Sequence, residues 1–115
     1  MDSVKLNLNK DFRRLYGRGK SHVHPLLVTY IIPNRRGIIR YGITTGKKVG
    51  GAVQRNRARR VIEAAMRENL KRADCGGADV VFVARTRTVS AKSYDVASVM
   101  KKHFKEGGLI QSARQ

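Results

Sequence analysis

One cysteine, two prolines, no tryptophan and only eight acidic residues define this 115-residue chain by what it leaves out. Cys75 has no partner for an internal disulfide and no second thiol for a cysteine-rich zinc site, which points to a reducing compartment. No apolar run approaches the roughly 18 residues a membrane span needs, so no membrane partner is expected. Met1 to Lys5 does not lead into the apolar stretch of a signal peptide, and a cytoplasmic setting is expected. The three histidines, His22, His24 and His103, have no nucleophile or carboxylate at a recognisable spacing. No paired carboxylates stand out for two-metal chemistry. The chain itself is therefore expected to hold no catalytic residue and no metal.

Positive charge is what it has in excess. Lys and Arg number 25, giving a net charge of +17. Self-repulsion of that size disfavours a compact monomer unless a polyanion neutralises it, and a nucleic acid does so better than a small acidic metabolite. The charge is uneven. Between Asp11 and Glu63 lie 51 residues with 13 bases and no acid, whereas from Glu63 onward 6 acids face 10 bases. Membrane-surface binding, the competing use of such charge, asks for a basic amphipathic helix, and the first half is too strand-like for that. With 41% hydrophobic residues the chain suits one globular domain, residues 1–115.

The pattern predicts elements in the order α-β-β-α-β-α, a small α+β sandwich. Asn9 is placed to cap a short helix through about Tyr16, stopped by Gly17 and Gly19. Leu26 to Ile32 (LLVTYII) reads as a strand with Leu26, Val28, Tyr30 and Ile32 on one face. Ile38 to Thr45 reads as its antiparallel hairpin partner across the turn at Asn34 to Gly37. A long helix follows from Ala52 to about Arg72, free of Pro and Gly. Asp79 to Arg85 (DVVFVAR) has the continuous apolar run of a strand buried on both faces, and the long helix joins two strands that form a crossover if they are parallel neighbours. A last helix runs from about Ser90 to Lys105, and residues 106–115 are expected to fray.

At 100° per residue the long helix sorts its arginines. Ala58, Val61, Ile62, Ala65 and Met66 fall within an arc of about 140°. Arg57, Arg60, Arg67 and Lys71 lie opposite, and Arg55 and Arg59 straddle one edge where helix meets sheet. Four bases among the six residues of RNRARR, with no acid to offset them, suit contact with phosphates. Phe12 and Tyr16 share a helix face and stand with Tyr30 in the basic half, a set able to stack single-stranded bases. Charge alone fits a structural ribosomal RNA binder equally well; the aromatic set is what separates the two. A DNA regulator is disfavoured because Asn/Gln readers are sparse and no dimer element is visible, and a stand-alone nuclease because acid/base residues are lacking.

The run GKKVGGAVQRNRARR (Gly46 to Arg60) resembles the signature of the protein subunit of bacterial ribonuclease P, and Lys10-Asp11-Phe12, Tyr16-Gly17 and the Tyr30 strand fit the same family in order and spacing. The similarity extends from about residue 5 to 105, with the RNR block its specific part. It implies a ribosomal protein S5 domain 2-like fold with a left-handed β-α-β crossover, against the usual right-handed rule. It also implies an RNA-dependent endonuclease, in which a catalytic RNA subunit holds the Mg²⁺ ions and removes the 5′ leader of precursor tRNA. The resemblance places Phe12, Tyr16, Val28 and Tyr30 in a leader cleft, with Arg55 and Asn56 at its rim. It assigns Lys47, Lys48, Arg57, Arg59, Arg60 and Arg67 to the RNA subunit. The implied partners are ribonuclease P RNA and precursor tRNA, with no obligate protein partner. Gly46, Gly51, Lys5, Arg59 and Glu63 depart from residues common in the family. Side-chain contacts at the two glycines are not carried over, and Glu63 removes one phosphate contact.

Overall fold

A computed structural model describes residues 1–111. Its elements are β1 (Ser3–Lys5), α1 (Asn9–Arg18), β2 (Lys20–His24), β3 (Leu27–Pro33), β4 (Ile39–Thr44), α2 (Ala52–Leu70), β5 (Ala78–Ala84) and α3 (Ser93–Glu106), with a 3₁₀ turn at Lys47–Val49 before α2. The strands form one sheet in the order β1-β4-β5-β3-β2. β5 runs parallel to β4 and antiparallel to β3.

The central place of β5 follows from its composition. Val80 and Phe82 enter one core with Ile62, Met66, Val96, Met100 and Phe104 of α2 and α3. Val81 enters a second, smaller core with Leu6 and Leu15, against which Phe12, Tyr30, Ile32 and Val83 pack. A strand apolar on both faces is stable only between two layers, so α1 covers one face of the sheet and α2 with α3 the other. The β4–α2–β5 connection is the parallel crossover anticipated from the pattern.

The expected hairpin of β3 with β4 does not form, because β5 lies between them. The loop after β3 instead spans the start of β5: Asn34 N–H donates to the Gly77 carbonyl at 3.1 Å and Gly37 N–H to the Gly76 carbonyl at 2.8 Å. A Cβ on Gly77 would collide with the Asn34 side chain and the Gly37 and Ile38 backbone, so only glycine admits this crossing. The hairpin partner of β3 is β2, KSHVH, whose single buried residue, His22, gives no apolar pattern to detect. Asn9 opens α1 as its first residue without capping it, and the helix runs through Gly17 to Arg18. The chain beyond α3 is docked rather than frayed as far as Gln111. Leu109 and Ile110 are buried, Leu109 N–H donates to the Phe104 carbonyl, and Gln111 N–H to the Asp74 carboxylate. Residues 112–115 of the expected tail lie outside the described residues.

Candidate nucleic-acid interface

α1 lies on the sheet through Leu15, which is wholly buried, and through Phe12. Phe12 seats over Gly42 of β4, where an added Cβ would stand 2.5 Å from two ring carbons. One turn later Tyr16 sets its ring edge-on against Tyr30 of β3, centroids 5.2 Å apart at 76°. Its hydroxyl is hydrogen-bonded to the Thr44 hydroxyl across 2.5 Å. The three aromatics of the sequence reading are thus brought together, and they divide the work. Phe12 is an anchor, whereas Tyr16 stays 40% exposed and is held in one orientation at both ends.

Beyond Tyr30 the same sheet face is open. A groove of about 460 Å³ has Val23, Val28, Tyr30 and Val83 among its walls, with Lys48 and Arg85 also lining it. Val23 is 66% exposed, an unusual state for a strand valine beside other uncovered apolar groups. An apolar floor flanked by cations accepts bases on the floor and phosphates at the edges. Val23, Val83, Arg85, Gly42 and Thr44 were not singled out by the sequence. Alternation along DVVFVAR places Val83 on the face of Val81; the β2 contribution carried no signal.

The long helix presents two surfaces. Ala58, Ile62, Ala65 and Met66 are buried and Val61 half-buried, while Arg57, Arg60, Arg67 and Lys71 are exposed. Arg57 Nε donates to the Val89 carbonyl at 2.7 Å, and Arg57, Arg60 and Lys92 border a shallow hollow between α2 and the start of α3. On the other edge Arg55 Nε donates to the Gly50 carbonyl at 3.1 Å, beside the turn that carries exposed Lys47 and groove-lining Lys48. Arg59 reaches the end of β4, donating to the Ile43 carbonyl at 3.5 Å and the Thr45 hydroxyl at 3.3 Å. Arg59 is half-buried, whereas Arg57, although bonded to Val89, and Arg60 are exposed. Asn56 is exposed.

A further polar cluster sits on the α1 face at the opposite end of β5. Asp79, wholly buried, accepts Arg40 Nε at 2.8 Å, Arg40 Nη2 at 2.6 Å, Asn34 Nδ2 at 2.7 Å and Arg14 Nη2 at 2.5 Å. Burial pushes this carboxyl up, but the hydrogen bonds from Arg40, Asn34 and Arg14 outweigh it and hold the group at about 2. The hydrogen bond to Asp79 in turn raises the Arg40 pKa. Arg14 thus turns toward the sheet to reach Asp79. Among the described residues no group of three His, Cys, Asp or Glu side chains is placed to hold a metal ion.

The chain as a whole has counterparts among known proteins. The family model described as Ribonuclease P matches residues 1–107. The chain belongs to the ribonuclease P protein family. The ribonuclease P protein component of Clostridium botulinum strain Loch Maree is 40% identical over 109 residues, 95% of this chain and 98% of that protein. That of Clostridium kluyveri is 39% identical over 113 residues, 96% of this chain and all of the relative. The fold agrees with the RNase P protein of Staphylococcus aureus at a TM-score of 0.78 and 24% identity, covering 93% of this chain and 97% of that one. The protein from Thermotoga maritima superposes at 0.77, again 24% identical, over 90% of this chain and 96% of that one. Membership of the ribonuclease P family agrees with the resemblance carried by Gly46 to Arg60.

Proposed function

We propose that this chain is the protein subunit of a ribonuclease P ribonucleoprotein, binding a catalytic RNA through α2 and the 5′ leader of precursor tRNA through the groove beside α1. The observation that carries this reading is the half-exposed, doubly held Tyr16 next to an open apolar groove lined also by Lys48 and Arg85. A domain that merely scaffolds folded RNA has no use for a stacking ring at the edge of an apolar track. Arg57, Arg60 and Arg67, with Lys47, face outward for RNA-subunit phosphates, and Arg55 with Asn56 stands at the groove end of the helix. Arg59 assists from the edge of β4. Chemistry belongs to the RNA, which holds the Mg²⁺ ions; the protein places the leader so that the endonucleolytic cut leaves the mature tRNA 5′ end. Work in the cytoplasm is part of this proposal; among the described residues no helix is long and apolar enough to cross a membrane.

The test is selective affinity. Holoenzyme reconstituted with Tyr16→Ala is expected to lose about 1–3 kcal/mol of binding to precursor tRNA carrying a leader. Its affinity for mature tRNA, which has none, should stay unchanged. An equal loss for both RNAs, tracking a lower melting temperature, would assign the ring to packing.

A further inference from the structure

The polar cluster around Asp79 lines a hollow of about 610 Å³, on the α1 side of the sheet but at the end away from the aromatic groove. Its size lies within the roughly 300–1,000 Å³ typical of ligand sites. Lys10 and Arg14 come from α1, Arg40 from β4 and Arg36 from the loop after β3, against Asp11 and Asp79. Four bases against two acids leave a net positive hollow.

Burial is the largest single influence on Asp79, and two arginines and an amide together keep its carboxylate charged. The same bonds fix the arginines. Arg40 uses Nε and Nη2 on Asp79, leaving Nη1 over; Arg14 uses Nη2 on Asp79 and Asp11, leaving Nε and Nη1. Lys10 and Arg36 have no carboxylate within salt-bridge distance among the described residues. The loop is fixed as firmly. Asn34 Oδ1 accepts the Arg36 N–H at 2.8 Å, Asn34 Nδ2 donates to Asp79, and two backbone bonds tie the loop to Gly76 and Gly77. Arg35 adopts φ 59°, a left-handed conformation that non-glycine residues hold only when their surroundings impose it. The strained turn leaves Arg35 and Arg36 exposed, with Arg36 on the wall of the hollow.

We infer that this hollow is a second phosphate-binding site, in which Arg14 and Arg40, positioned by Asp79, and Lys10 with Arg36 take a phosphate of the RNA backbone. The site rests on the RNA-binding reading above and adds a contact that neither the aromatic groove nor the outward face of α2 provides. Fixed guanidiniums bind a phosphate without first losing side-chain freedom, which is where a rigid arginine pair gains over mobile lysines. The phosphate belongs either to the RNA subunit or to the precursor, and the experiment separates these sources.

The double variant Lys10→Ala/Arg36→Ala removes two exposed side chains and leaves the Asp79 network whole. Binding of wild type, this variant and Tyr16→Ala is measured against ribonuclease P RNA alone and, in holoenzyme, against precursor and mature tRNA over a salt series. The expected result is a log K against log salt slope shallower by about 1–2 for the double variant, with affinity down several-fold at low salt. Loss toward the RNA subunit alone assigns the phosphate to that subunit, and loss toward the leader-bearing precursor assigns it to the substrate. Unchanged slope and affinity toward all three RNAs, while Tyr16→Ala still weakens leader binding, would overturn the hollow and leave the groove standing. Failure of the wild type to bind any of these RNAs would remove both readings together.

Discussion

Gly42 shows how much of the interface depends on single atoms. Its missing Cβ is the space in which the Phe12 ring lies, and α1 is seated there. Gly42→Ala is expected to overpack that contact by about 1–3 kcal/mol and to tilt α1, carrying Tyr16 off Tyr30. Urea unfolding measures the first effect and leader affinity the second; a variant with wild-type values in both would show that α1 tolerates displacement. Tyr16→Phe is a milder change, because the edge contact with Tyr30 remains and only the bond to Thr44 is lost. It should weaken leader binding by no more than about 1 kcal/mol. Tyr16 and Tyr30 were legible as a pair because helix spacing and strand alternation each place one of them. Gly42 and Thr44 were not, because a glycine in a strand and a threonine at its end have many uses, and only the assembled sheet selects one.

At the scale of elements, local signals identified β3, β4, β5 and the three helices because each has an apolar period or, in β5, a continuous apolar run. They could not order the strands. Chain proximity favoured β3 beside β4, and what overrides it is the need of β5 for cover on both faces, a property of the whole sheet. The same packing buries two histidines between β2, β3 and α3. His103 Nδ1 meets the Thr29 hydroxyl at 2.8 Å, and His22 Nδ1 meets Glu106 at 3.1 Å. Burial, helped by the charge of His22 and opposed by Glu106, pushes His103 down to about 4 from an ordinary 6.5. Between those values the unfolded chain binds more protons, so stability is full above about 6.5 and is lost as pH falls toward 4, on the order of 3 kcal/mol in all. Asp79 adds its own loss lower down, as pH falls from 3.8 toward 2. Urea midpoints recorded between pH 4 and 7 should decline on the acid side; a flat profile would contradict a neutral, buried His103. On α2, Arg57→Ala and Arg60→Ala should weaken assembly with the RNA subunit, and Arg55→Ala should weaken precursor binding more. Identical profiles for the three would contradict the division of the helix into two surfaces.

At the scale of the molecule, a charge of +17 is concentrated in the basic half, which supplies most of the interface residues, while both halves build the core. The sequence made the polyanion partner and the outward arginines of α2 legible, since both are matters of count and helical angle. It left the Asp79 hollow unread, because the four bases lining it come from three separate elements that meet only once β5 is inserted. The central claim is that this protein serves a catalytic RNA and performs no cleavage itself. Purified protein, ribonuclease P RNA and both together are incubated with precursor tRNA at low Mg²⁺, with contaminating RNA rigorously removed from the protein. The account predicts an intact substrate with protein alone, slow cleavage with RNA alone and efficient release of the 5′ leader with both. Cleavage by the RNA-free protein, or no gain when it joins the RNA, would contradict it.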